Sequence, residues 1–259
     1  MTVQDLYDLI DRIAPFDTQE EYDNSGFLVG SAAQEVDTIL FALDVTEPVI
    51  DRAVSLGAQL IITHHPLMFS PIRSLTDGDY ESRLIRRLVR AGISLIAAHT
   101  NLDRASGGMN DVLAERCGLM DVSGEGFFRC GTLTAPRSAF ALADELKSLL
   151  RTDVRLMGPG NTLIRKVGLC SGGGSDEWIR AAEAGCDAFL TGEIKHHHAL
   201  AMADRGIIGL ECGHFATEEP GIRALASALQ NVFNKIECNM RIYVSDISAY
   251  AFSDNRDRR

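Results

Sequence analysis

The chain has 259 residues, 46% hydrophobic and 24% charged, which describes a globular protein long enough to bury a core in one large domain or two small ones. Its 36 acidic and 25 basic residues leave a formal net charge of −11, which argues against nucleic acid as a partner for any mode that relies on broad phosphate neutralisation. Six widely spaced cysteines with no C-x-x-C pair exclude a disulfide scaffold and a zinc ribbon.

The opening stretch, MTVQDLYDLIDRIAP, places Leu6, Leu9, Ile10 and Ile13 at helical spacing, and Pro15 ends the pattern. It carries acids where a secretion signal would carry basic residues. No apolar run approaches the ~20 residues of a membrane span, so a cytoplasmic protein is expected, without a membrane partner. An apolar strand, Thr38 to Leu43, ends in Asp44, and Thr46 is placed to cap a helix ending near Gly57. Gln59 to Thr63 is a second strand, stopping at His64-His65-Pro66. Tyr80 to Ala91 reads as a helix closed by Gly92, and Ile93 to Ala98 as a strand stopping at His99. The second half repeats this rhythm. Ser138 to Leu150 is helical, and Lys166 to Cys170 is a strand running into SGGGS and a helix with Trp178. A strand at Ala188 to Leu190 and another helix follow. Ile207 to Leu210 is a strand leading to Cys212-Gly213-His214, a helix runs from about Glu218 to Val232, and Ile236 to Val244 reads as a final strand. The polar tail, SDNRDRR, is expected to fray. Strands alternating with helices predict an α/β fold with mostly parallel or mixed sheets. The weakest patterning, Asp121 to Pro136, puts the expected boundary between two α/β domains, 1–124 and 125–259.

Polar residues collect where these strands end, the edge at which open α/β folds bind ligands. His64 and His65 follow LIIT, His99 and Asp103 follow ISLIAA, and His214 and Glu218 follow IIGLECG. Adjacent residues of an extended strand point to opposite sides, so the His64-His65 pair suits two neighbouring ions better than one. Two histidines in a polar loop is the plainer alternative. Asp103 is a candidate ligand or a cap for the next helix, and His99 a ligand or a support for one. His214 and Glu218, four apart, face one point if the helix begins near Thr217. Taken alone, such a pair is also common on solvated helix faces. Together the imidazoles and carboxylates suit zinc, iron or manganese, and a site of this make-up is typical of metal-assisted hydrolysis.

The segments EYDNSGFLVG, ITHHPLMF, AAHTNLD, TGEIKHHHAL and GHFATEEPGI, in this order, resemble the NIF-three-like dinuclear metal proteins, also described as GTP cyclohydrolase I type 2 homologues. The resemblance spans about Leu6 to Leu229. It implies two α/β domains with a metal pair in the cleft between them, and a ring-shaped homohexamer. It places the ligands on His64, His65, Asp103, His214 and Glu218: His64 and Asp103 on one ion, His65 and His214 on the other, and Glu218 bridging as the catalytic candidate. Tyr22 stands where many relatives have Trp.

Other features carry alternatives. SGGGS is a tight strand-to-helix turn or an anion cradle, without the ending of a P-loop. His196, His197 and His198 are expected to line the cleft or support the ligands. Glu193 and Lys195 form a solvated pair or act as acid and base. No serine sits in a G-x-S-x-G elbow, and the cysteines fall in apolar runs that suit a core. Two classes of function follow. The first is a hydrolase using two divalent ions to open a purine ring, as the family naming implies, or to cleave a nucleotide-like phosphoester. The second is a metal-binding ring that serves as a platform or chaperone without turnover.

Overall fold

The computed structural model describes residues 1–248, so the SDNRDRR tail lies outside the described residues. In chain order the first part runs α1 (Val3–Ile13), β1 (Gly26–Val29), β2 (Thr38–Ala42), α2 (Glu47–Leu56), β3 (Leu60–Thr63), α3 (Tyr80–Ala91), β4 (Ser94–Ala97), α4 (Thr100–Arg104) and α5 (Met109–Arg116). It continues with β5 (Met120–Ser123), β6 (Arg129–Ser138), α6 (Ala139–Leu150), β7 (Arg155–Met157), β8 (Leu163–Cys170), α7 (Trp178–Glu183), β9 (Ala188–Thr191), α8 (His196–Asp204), β10 (Ile208–Glu211), α9 (His214–Lys235) and β11 (Arg241–Val244).

Local chemistry sets the helix ends. Thr46 caps α2 by accepting from Val49 N at 3.3 Å, and Gly57 closes it in the left-handed region. Asp79 caps α3 by accepting from Ser82 N at 2.8 Å, and Gly92 ends it in the same way.

Two sheets result. The first has the order β1-β4-β3-β2-β11, parallel from β4 to β11 with β1 antiparallel at one edge. The second has the order β5-β6-β8-β9-β10-β7, with a parallel centre of β8, β9 and β10 and antiparallel strands outside it. The fold is therefore α/β with one mostly parallel and one mixed sheet. Sheet membership departs from the expected division at 124/125 in two places. β5 pairs with β6 in the second sheet, while β11, the last strand, returns to pair with β2 in the first.

The poorly patterned stretch from Asp121 to Pro136 turns out to hold most of the β5–β6 hairpin. All four residues of β5 are exposed and only the start of β6 is buried, so neither strand needs the apolar alternation that marks a core strand. The expected strand from Ile236 is shorter: Ile236 caps α9, Glu237 turns at positive φ, and pairing begins at Arg241. α9 begins at His214 rather than Glu218. It buries Ile222, Leu225, Leu229 and Phe233 against the same core as Val3, Leu6 and Ile10 of α1 and the strand residues Ile39, Phe41 and Ile62. α5 contributes Met109 to that core and Leu113 and Ala114 to the core of the second sheet. Gly221 lets α9 lie against Met109, where any Cβ would meet the methionine sulfur. No helix among the described residues is long and apolar enough to cross a membrane.

Candidate metal centre

The strand order sets where the site residues come together. β2, β3 and β4 are parallel neighbours, so their carboxyl ends deliver Asp44, His64-His65 and His99 to one edge. β8, β9 and β10 do the same in the second sheet with Gly172, Glu193 and His214. The edges meet: His65 Nε2 and His214 Nε2 are 3.3 Å apart although 149 positions separate them. Asn110 of α5 ties the halves beside the site, its side-chain amide donating to Asp103 O at 3.1 Å and its Oδ1 accepting from Ser171 N at 2.8 Å.

The five expected ligands come together in one cluster. His64 Nε2 lies 3.6 Å from Asp103 Oδ1 and 3.7 Å from Glu218 Oε1. The other Glu218 oxygen, Oε2, lies 3.2 Å from His65 Nε2 and 3.1 Å from His214 Nε2. The two neighbouring histidines thus address different oxygens of Glu218, with their ring centroids 4.9 Å apart. His64, His65 and His99 offer ligand atoms within 4.8 Å of one another, as do His65, His214 and Glu218.

Partners on the far side of the rings set their orientation. His64 Nδ1 lies 2.8 Å from Ala98 O. A carbonyl only accepts, so Nδ1 carries a proton toward it, and Nε2 is the atom turned toward Asp103 and Glu218. His65 Nδ1 is 2.7 Å from Asp44 Oδ1, His214 Nδ1 is 2.8 Å from Glu193 Oε1, and His99 Nδ1 is 2.8 Å from Asp23 Oδ1. Such carboxylate–imidazole pairs hold ligand rings in place and raise their basicity. Asp23 is in turn fixed by Ser25 Oγ at 2.8 Å and by the Thr100 amide at 3.0 Å.

Burial then leaves polar atoms without partners. His64 Nε2 and Asp103 Oδ1 are buried and lack a hydrogen bond, an arrangement that costs free energy unless something binds there. Burial raises the Asp103 carboxyl to about 6 against the pull of His64. Burial opposes charge on His65 and His214, but hydrogen bonds and charge from Glu218, with Asp44 and Glu193 respectively, raise them to about 10 and about 9. Burial likewise opposes the Glu218 charge, yet the surrounding imidazoles hold its carboxyl well below the usual range. Gly172, at φ +57, passes so close that a Cβ there would collide with Glu218 Oε1.

The helix-cap role open to Asp103 is not the one it takes. Asp103 lies inside α4, while Gly108 occupies the cap position of α5 and Asp111 accepts from Gly107 N. SGGGS forms the tight turn, closed by a bond from Gly174 N to Ser171 O at 3.2 Å. Glu193 and Lys195 do not pair with each other. Glu193 holds His214, and Lys195 meets Asp176 at 2.6 Å. None of His196, His197 and His198 lines the cleft, correcting that part of the expectation: His198 packs in α8 with its Nδ1 3.0 Å from Ser175 Oγ. All six cysteines are free, and all but Cys238 are buried. Asp44 and Asp23 escaped the sequence reading as site residues. Asp44 sits at the end of a strand beside β3, so the strand-edge rule was the available signal. Asp23 lies in a loop where no periodicity points to it. Around these groups opens a cleft of about 830 Å³ that the two halves share, lined among others by Asp44, His65, His99, Asp103, His214 and Glu218.

Comparison with known proteins shows the family to which this fold belongs. Residues 1–250 match the model of the family described as Duf34/NIF3 (NGG1p interacting factor 3). A protein of Clostridium perfringens named GTP cyclohydrolase 1 type 2 homolog is 33% identical over 255 residues, covering 95% of this chain and 96% of its own. One of the same name from Lactococcus lactis is 30% identical over 98% of this chain and 100% of its own. The crystal structure of the Staphylococcus aureus hypothetical protein SA1388 superposes with a TM-score of 0.92 at 29% identity, covering 97% of this chain and 98% of that one. With the match running through both sheets and every strand end described above, the chain belongs to the Duf34/NIF3 family.

Proposed function

We propose that the chain is a dinuclear metal-dependent hydrolase, with His64, His65, Asp103, His214 and Glu218 holding two divalent ions of zinc, iron or manganese type. One observation carries this reading. Glu218 has one oxygen toward His64 and the other toward His65 and His214, and His64 Nε2 and Asp103 Oδ1 beside it are buried without a hydrogen bond. That donor set, nitrogen and carboxylate oxygen without thiolate, suits such ions. Divalent metal at such a centre supplies Lewis acidity, lowering the pKa of water and polarising a substrate oxygen.

The chain's own residues do the positioning. Ala98 O, Asp44 and Glu193 fix the imidazoles from behind, so the Nε2 atoms of His64, His65 and His214 converge without reorganisation. The Asp23–His99 pair places a further oriented imidazole in the cleft wall, able to hold or hand over a proton beside the substrate. The name shared by the Clostridium and Lactococcus relatives makes purine-ring opening the first reaction to test. Nucleotide-like phosphoesters come second. A reducing, cytoplasmic setting accords with six free cysteines.

The test is elemental analysis of the purified protein together with turnover across a panel of purine nucleotides and phosphoesters, each repeated with Glu218→Gln. Bound metal and a turnover that both fall in the variant support the hydrolase. Bound metal without turnover on any member identifies a platform instead.

A further inference from the structure

One imidazole in the cleft is built like a ligand and has no place in the proposed set. His99 follows β4 at the start of α4, with Asp103 four positions on in the same helix. His214 follows β10 at the start of α9, with Glu218 four positions on. Each ring is held from behind at the same distance: Asp23 Oδ1 lies 2.8 Å from His99 Nδ1, and Glu193 Oε1 lies 2.8 Å from His214 Nδ1. The two sheets therefore present one arrangement twice. A strand ends, an imidazole backed by a carboxylate follows, and a second carboxylate stands one helical turn along. Of His99, Asp103, His214 and Glu218, only His99 is outside the proposed ligands.

The free nitrogen of His99 is the one left to face the centre. Nδ1 is taken by Asp23, and Nε2 has no hydrogen-bond partner among the described residues. The ring occupies the cap position of α4 but makes no cap bond. Ligand atoms of His64, His65 and His99 lie within 4.8 Å of one another, and the His99 ring centroid is 5.0 Å from that of His64 and 5.5 Å from that of His65. The support behind the ring is costly. The Asp23 side chain is fully buried, and it also accepts from Ser25 Oγ at 2.8 Å and the Thr100 amide at 3.0 Å. Such a shell fixes the direction of one imidazole, which is the part played by the carboxylates behind metal-bound histidines.

We propose that His99 is a sixth ligand of the divalent centre, forming with His64 and His65 a face made of imidazole alone. This rests on the metal reading of the site and adds a selectivity to it. Imidazole suits zinc, iron and copper, whereas manganese is served by carboxylate and water, so His99 biases the centre against manganese. A ring bound through Nε2 carries no proton there. Its proton role in the cleft wall belongs to the state in which a substrate atom has taken its place.

The probes are cobalt(II), zinc(II) and manganese(II), added to protein stripped by a chelator. Competition with a chelating dye gives the affinities, and the visible absorption of the cobalt form reports the ligands. His99→Gln keeps a side chain that can meet Asp23 but removes the imidazole, and His99→Ala removes the side chain. Both should shift the cobalt absorption and weaken zinc about tenfold or more, with manganese changed less. Asp23→Asn keeps the ring but loosens it, and should weaken zinc by a smaller factor. Added imidazole should restore the cobalt absorption of His99→Ala. The proposal is overturned if both His99 variants keep the parent's cobalt absorption and zinc affinity. It is also overturned if zinc and manganese weaken alike and imidazole restores nothing, the result expected of a residue that only supports the fold. A parent that takes up none of the three ions removes the metal reading and this proposal together. A parent that binds them, with His99 variants that match it, removes this proposal alone.

Discussion

Glu218 is the residue on which the site turns, because one of its oxygens faces His64 and the other faces His65 and His214. Replacing it with Gln removes the charge shared between them and should deplete both ions. His65→Ala removes a partner of one oxygen only and should leave roughly one ion per chain, since ligand number sets affinity. Elemental analysis reads both variants, and equal, full retention in both would remove the bridging assignment. The same cluster predicts a pH dependence for the protein stripped of metal by a chelator. His65 and His214 have ordinary values of 6.5 and are raised in the folded chain to about 10 and about 9. Their contribution to stability is fully present below pH 6.5 and is lost as the pH rises through about 9 to 10, because in that window the folded chain binds more protons than the unfolded one. Thermal melts of stripped protein should therefore fall across that range. Metal uptake at neutral pH should release protons, measurable as a dependence of the apparent binding heat on buffer ionisation. Melts that stay flat from pH 6.5 to 10 would contradict this coupling. The ligand types were legible from the strand ends, but the orienting partners were not. Asp23, Asp44 and Glu193 reach their rings across separations of 76, 21 and 21 positions, which no local pattern encodes.

At the scale of elements, α9 couples the site to the core. Its first turn carries His214 and Glu218, and its later turns bury Leu229 and Phe233 completely beneath the first sheet. Phe233→Ala should cost about 3–5 kcal/mol, as expected for deleting a fully buried aromatic side chain. Chemical denaturation measures it, and a cost below about 1 kcal/mol would mean that α9 is not anchored there. Because the ligands stand at the other end of the same helix, metal content of the folded Phe233→Ala protein should be unchanged as long as that first turn stays docked. The helices were legible in the sequence where a cap, an apolar stripe and a closing glycine coincide, as in α2 and α3. The start of α9 was not. Its cap position, Gly213, makes no side-chain cap bond, and Pro220 lies within the helix, so neither usual signal marks the end.

For the whole molecule, the resemblance implies a ring of six chains. Light scattering on the eluting protein should report a mass near six times 28.2 kDa, and a monomer at micromolar concentration would remove the ring while leaving the centre around Glu218 untouched. Apolar periodicity, caps and turn residues are properties of neighbours in the chain. They determined the α/β class, most of the helices and central strands, and the presence of histidine and carboxylate at three strand ends. What only the tertiary structure decided is which strands are neighbours and which edges face each other. β11 returning to β2, the exposed β5–β6 hairpin and the approach of His65 to His214 are all long-range pairings. Their free energy comes from burying surface shared by distant segments, so it appears in the folded chain and leaves no periodic trace in either partner alone.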